Sequence, residues 1–255
     1  GADLEIRIEN APTFAQEYPN LRLAFRWCAE RERWEDVLAL ADNLWFYPYL
    51  AGLLREAGEI AEMGVKAAQS LGSLSGETRS MRHLGLITWE QGAFWQGEKL
   101  LQRAASIALR CQDRRNLGLA LERFAECLIS RGKVLAGKSI ALAALKIGEE
   151  LNDRQIQVLA AYRISRAENA QGNLKASLEW LDRGEVWARE LVWSRALAWY
   201  LWRRGANLVE TGRYGEAESY LLQTMETVVW DEPRLFAHLK RYLAWVYQKT
   251  GRLDL

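Results

Sequence analysis

Proline is scarce in this chain. Its 255 residues hold four, none of them between Tyr49 and Asp231, so nearly the whole body is free of the residue that breaks a helical hydrogen-bond ladder. Cysteine is scarcer still. Cys28, Cys111 and Cys127 are odd in number and lack CxxC spacing, which speaks for free thiols in a reducing, cytoplasmic setting and against a disulfide framework. The two histidines, His83 and His238, lie far apart with no companion cluster. A metal needs several converging ligands, so neither metal nor cofactor is expected. No run approaches 18 apolar residues and no opening stretch reads as a secretory leader, so neither membrane insertion nor secretion is expected. An excess of one charge sign is missing too. A formal net charge of +1, with only short doublets such as Arg114/Arg115 and Arg203/Arg204, weighs against direct nucleic-acid binding.

What is present is a ladder of turns. Gly52, Gly92, Gly132, Gly172 and Gly212 stand forty residues apart, and Gly251 follows one short of that spacing. Five residues after the first five comes a small residue: Ala57, Gly97, Gly137, Ser177, Ala217. Twelve after come Gly64, Ala104, Ala144, Gly184 and the slightly larger Thr224. Seven before, from Gly92 onward, sit Gly85, Ala125, Ser165, Gly205 and Ala244. Companion positions in phase with the glycines make an internal repeat. Between turns, apolar residues recur at three- and four-residue spacing, as on amphipathic helices. Small residues let two antiparallel helices approach closely, and a lone hairpin cannot bury its apolar face. The expected fold is therefore all-α: a right-handed superhelical solenoid of stacked hairpins, about twelve helices in all.

In chain order, residues 1–19 read as an incoming linker with a strand-like piece at 4–8, and the repeat domain as 20–255. Asn20 is the expected cap of a helix over about 21–32, followed by one over about 35–50 that Pro48 should bend, and one over about 54–70. The stretch 72–76 reads as a turn, with the next helix starting near Gly76 or Glu77. Pairs are then expected at about 77–91 with 94–111, 115–130 with 134–150, 154–170 with 174–190 and 194–210 with 214–229, and a last helix at about 233–249. The final five residues look like the opening of another unit, so the repeat array reads as truncated at 255.

The small-residue register resembles the tetratricopeptide family over roughly residues 35–255, with a large apolar residue eight before the turn glycine at Leu84, Phe124, Ile164 and Leu243. Arg204 departs from that pattern, and the unit is forty residues where the family has thirty-four. A narrower resemblance comes from Asn20-Leu21-Arg22, Ala24-Phe25-Arg26-Trp27, Ala39-Leu40-Ala41 and Leu44-Trp45-Phe46-Tyr47. These look like the opening of the helical-repeat sensor of bacterial STAND (NB-ARC-type) signal-transduction ATPases. That resemblance implies a neighbouring nucleotide-binding module in a longer parent chain, and a piece that receives an activating signal or holds the switch closed. Nothing in these residues resembles the ATPase module itself.

Gly132-Lys133-Val134-Leu135-Ala136-Gly137-Lys138-Ser139 matches the phosphate-loop pattern formally. That loop needs a strand feeding it, whereas 117–131 has helical period and the repeat already accounts for both glycines. No nucleophile–base pair emerges, so no enzyme is expected. On a helical wheel, the concave positions lie about thirteen, ten, six and three residues before each turn glycine. They give Arg79, Arg82 and Trp89; Glu122 and Glu126; Tyr162, Arg166 and Asn169; Trp199 and Trp202; and Arg241, Trp245 and Gln248. Aromatic faces beside arginines and carboxylates suit recognition, although tryptophan at helical spacing serves packing equally well. Trp180, Trp187 and Trp230 fall on second helices and suit the convex side; Trp193 fits either wall. The expected function is non-catalytic binding of a protein, peptide or small effector in the groove, as a sensor within a larger signalling protein or, alternatively, as a constitutive scaffold.

Overall fold

The backbone shows why the chain folds back on itself every twenty residues. In the computed structural model, which describes residues 11–227 and 233–252 (side chains from 14 to 226 and from 233), a left-handed residue closes helix after helix. Gly52, Gly92, Gly132, Gly172, Gly212 and Gly251 hold positive φ as the repeat implies, but so do Gly72, Glu32, Gln112, Asn152 and Val192 between them. Each turn uses the same paired hydrogen bonds. Gly92 donates to the Trp89 carbonyl at 2.9 Å and Ala93 to Thr88 at 3.1 Å; Gln112 and Asp113 do the same to Leu109 and Ala108 at 3.3 and 2.9 Å. This Schellman arrangement satisfies the last carbonyls of the helix. The true turn period is twenty: the glycine ladder marks every second turn, and the breaks expected between the helices of successive pairs close with the same left-handed geometry, at Gly72 on a glycine and at Glu32, Gln112, Asn152 and Val192 on residues that carry side chains.

Between the turns lie α1 (Ala11–Glu30), α2 (Trp34–Leu44), α3 (Phe46–Leu50), α4 (Leu54–Ser70), α5 (Leu74–Glu90), α6 (Phe94–Arg110), α7 (Arg114–Ser130), α8 (Val134–Glu150), α9 (Arg154–Ala170), α10 (Leu174–Glu190), α11 (Ser194–Glu210), α12 (Tyr214–Thr227) and α13 (Pro233–Thr250). Each packs on its sequence neighbour, and α7 with α9, α5 with α7 and α11 with α13 also touch. The result is an all-α solenoid of helical hairpins. The bend expected near Pro48 is the break at Trp45, because the proline ring clashes with the carbonyl four residues earlier, that of Leu44, where α2 ends. Two expected starts move. α1 begins at Ala11 and runs through Pro19, so Asn20 lies inside a helix and caps nothing. α5 begins at Leu74, because the Ser73 hydroxyl accepts the Gly76 amide at 3.2 Å and draws Gly76 into the first turn. The strand-like 4–8 piece and residues 253–255 of the final opening lie outside the described residues.

The small residues act in two sets. Within a hairpin, the residue seven before the turn meets the one five after it. A Cβ on Gly97 would come 2.8 Å from the Gly85 carbonyl, one on Gly137 3.0 Å from that of Ala125, and the Ser165 and Ser177 hydroxyls bond at 3.0 Å. Between hairpins, the residue twelve after the turn faces the first helix of the next unit: Gly64 meets Ser80, Ala104 and Ala120 share one apolar cluster, Ala144 and Ala160 another, and Gly184 lies under Tyr200. Where one partner is large, the other has no side chain. Arg204, the exception among the apolar positions, pairs with Asp182 and Glu185 of α10 and lies over the Tyr220 ring.

Candidate functional site

The row of helices curls until its ends meet. Arg234, in the first turn of α13, pairs with Glu90 at the end of α5 at 2.6 Å and sits 4.3 Å over the Tyr49 ring of α3. Burial pushes the Tyr49 phenol up. Arg195 of α11 lies over Phe46, also of α3. Inside this closure is a cavity of about 260 Å³, lined among others by Trp89, Tyr162, Trp199 and Trp202. Six arginines line it (Arg123, Arg163, Arg166, Arg195, Arg203 and Arg234) against two glutamates, Glu90 and Glu126.

Six of the thirteen expected groove residues reach this cavity: Trp89, Glu126, Tyr162, Arg166, Trp199 and Trp202. Glu122 lies behind the wall, fully buried; it forms an ion pair with Arg123 at 2.9 Å and accepts a hydrogen bond from Arg163 at 3.1 Å. Arg79 is tied to Asp42 and Ser75. Arg82 is buried and donates to His83 Nε2 at 2.9 Å, while Asn169 donates to Glu210 of the next first helix. Arg241, Trp245 and Gln248 fall outside the cavity: α13 enters it at Arg234 and His238, and these three lie further along the helix. Trp245 is half-exposed beside Tyr242. Trp193 resolves to the inner wall and is 2% exposed. Trp180 and Trp187 pack behind α8 and α9, and Trp230 lies outside the described residues.

The wheel missed Tyr49, which sits on the short α3, and Arg234 and His238, which come from the far end of the chain. It also missed a ladder legible in the sequence. Nine residues before successive turn glycines stand His83, Arg123, Arg163 and Arg203, forty apart, and the three arginines all line the cavity. Their charges are managed unequally. Arg163 is held by Glu122 and by Glu126 at 2.7 Å. Arg166, its charged form disfavoured by burial and by the neighbouring Arg203, pairs with Glu126. Burial and the arginines around it hold His83 well below the usual histidine range, stacked at 4.1 Å on Trp45. Burial also lowers His238, with the charges of Arg241, Arg203, Arg234 and Arg166 adding to it.

The cavity is built to hold charge and aromatic faces, not to activate a nucleophile. Its cysteine, Cys127, is buried and its thiol pushed up to about 12, so it stays protonated. The phosphate-loop lookalike is helix, turn, helix: α7, the left-handed Gly132, then α8 from Val134. Its amides are spent in the turn and the helix, as Lys133 bonding to Leu128 and Gly137 to Lys133 show. Among the described residues no group of three or more His, Cys, Asp or Glu could hold a metal, and no helix is long and apolar enough to cross a membrane.

No protein-family profile and no curated protein matches the chain. Solved structures do. A Rap protein in complex with competence and sporulation factor is similar at a TM-score of 0.70 and 11% identity, covering 86% of this chain and 61% of that one. BtubC from P. vanneervenii is similar at 0.62 and 15%, covering 79% and 85%. A STAND protein with a tetratricopeptide repeat sensor from Pyrococcus horikoshii is similar at 0.52 and 15%, covering 97% of this chain but 44% of that one. At these identities the likeness is one of fold, a tetratricopeptide-like repeat.

Proposed function

We propose that this chain is a non-catalytic binding domain whose curled inner wall holds a peptide or a short segment of a partner protein. The observation that carries the reading is the cavity itself, where seven tyrosine and tryptophan side chains and six arginines converge from helices far apart in sequence. Aromatic faces and guanidinium groups are the residue types that concentrate energy at protein interfaces. The Rap structure, of similar fold and solved in complex with competence and sporulation factor, supports a binding role. A constitutive interaction domain is the form we favour. The sensor reading, with a neighbouring nucleotide-binding module, draws support from the Pyrococcus neighbour, of which this chain spans under half. The free cysteines suit a reducing compartment.

The test is a pentapeptide array probed with the purified domain, followed by fluorescence titration of the tightest peptides. Trp199 is only partly buried and lines the cavity, so Trp199→Ala should leave the helical circular dichroism intact and weaken binding roughly thirtyfold, as a central tryptophan does. Undiminished binding in that variant, or no peptide bound at all, refutes the groove. Limited proteolysis with and without bound peptide separates the two forms. A scaffold keeps its cleavage pattern, whereas a sensor changes it, because switching requires unequal affinity for two states.

A further inference from the structure

The forty-residue repeat allows each arginine of the inner ladder to be compared with the others in the same structural position. Arg163 on α9 faces Glu122 and Glu126 of α7. One unit on, Arg203 of α11 has the same relation to residues 162 and 166 of α9, and those are Tyr162 and Arg166. The two acids that neutralise one rung are replaced at the next by an aromatic ring and a second cation. Arg203 lies 4.3 Å over the Trp202 ring and 6.0 Å over Tyr162, and its buried Nε has no acceptor. Beside it the Trp202 indole N–H, on a residue 3% exposed, also has no acceptor. From α13, His238 packs against Trp202 with ring centroids 4.8 Å apart. All four residues, Arg203, Trp202, Arg166 and His238, line the cavity.

Buried cations and indole donors without acceptors cost stability unless something supplies the missing charge and lone pairs. Paired acids are the repeat's own solution one unit earlier, so at this rung the acid must come from outside. We propose that this end of the cavity is a carboxylate subsite, in which Arg203 and the Trp202 indole N–H donate to a carboxyl group of the bound peptide, beside the Arg166–Glu126 pair. Guanidinium and carboxylate match as planar, charge-assisted partners. The inference rests on the groove as a peptide site and adds to it a preference for an acidic ligand.

The test uses three fluorescein-labelled forms of one pentapeptide taken from the array: a central Glu with an amidated C-terminus, a central Gln amidated, and a central Gln with a free C-terminal carboxyl. Anisotropy titrations with the native domain should show one of the carboxyl-bearing forms binding at least about tenfold tighter than the neutral form, and which one it is identifies the source of the carboxyl. That preference should shrink with added salt and vanish in Arg203→Met. Arg203→Lys, which keeps the charge but not the fork, should retain part of it. Because Arg203 has no acid to lose, Arg203→Met should melt no lower than the native domain; a clear drop in Tm marks a structural arginine and overturns the proposal. Equal binding of all three forms overturns the subsite while leaving the groove standing, whereas no binding of any form removes both. Competition by inorganic phosphate without competition by acetate overturns the choice of carboxylate.

Discussion

Adding one methyl group to Gly184 should be among the most damaging small changes this protein can suffer. A Cβ built there lies 2.0 Å from the Tyr200 hydroxyl oxygen, 2.3 Å from Cζ and 2.4 Å from Cε1, so the whole edge of the ring would have to move by more than an ångström. Tyr200 has no room to move: it is 1% exposed, and its hydroxyl donates to the Val158 carbonyl at 2.6 Å. Overpacking of this kind costs about 1–3 kcal/mol. Pulling the buried hydroxyl off its acceptor adds about 1–3 kcal/mol, and the better helix propensity of alanine returns about 1 kcal/mol. The net expectation for Gly184→Ala is about 3 kcal/mol, the sum of those ranges taken near their middle. Gly58→Ala is the control. It is the same change inside another helix, but there the new Cβ meets its neighbours at 3.6 Å, so propensity should leave the protein unchanged or stabilised by up to about 1 kcal/mol. Urea unfolding of both variants measures the difference. In a Tyr200→Leu background the cost of Gly184→Ala should fall below about 1 kcal/mol, which a double-mutant cycle reads directly. Equal stability of the two alanine variants, or a cost undiminished in that background, refutes the packing of α10 on α11 by size compensation.

Two further outcomes follow from the same coordinates. His83 is held neutral by burial and by Arg82, Arg123 and Arg79, and His238 is lowered by burial and its arginines. The unfolded chain therefore takes up protons near 6.5 before the folded chain does, so stability is whole above about pH 6.5 and is lost as pH falls below it. Urea midpoints at stepped pH should show that fall, and His83→Gln/His238→Gln should flatten it; a slope surviving in that variant refutes the linkage. Val192 holds φ 54° at an exposed turn, a conformation that costs a β-branched residue about 1–2 kcal/mol. Val192→Gly should raise stability by about 0.5–1 kcal/mol after the entropy of the more flexible unfolded chain is counted, and a lower melting temperature in that variant counts against the turn geometry.

The repeating unit and its stacking are written in the residue pattern. Small residues five and twelve after the turn glycines, and seven before them from Gly92 onward, are local requirements for close helix contact that recur from hairpin to hairpin, so their meaning survives without coordinates. The breaks at Glu32, Gln112, Asn152 and Val192 were legible as gaps between helices, but their left-handed closure was not, because the Schellman hydrogen bonds are backbone bonds that a non-glycine residue can also make. The inner ladder of arginines at 123, 163 and 203 was legible by register alone, but its meaning was not. Register says that the three occupy one position; it does not say that glutamates meet the second and a cation meets the third. How far the row of helices curls is a property of the folded chain alone, because curvature is the sum of small rotations set by side-chain volumes at every interface. That sum brings Arg234 to Glu90 and over the Tyr49 ring across more than half of the chain, and so makes a partly enclosed site of what the repeat pattern alone presents as an open wall.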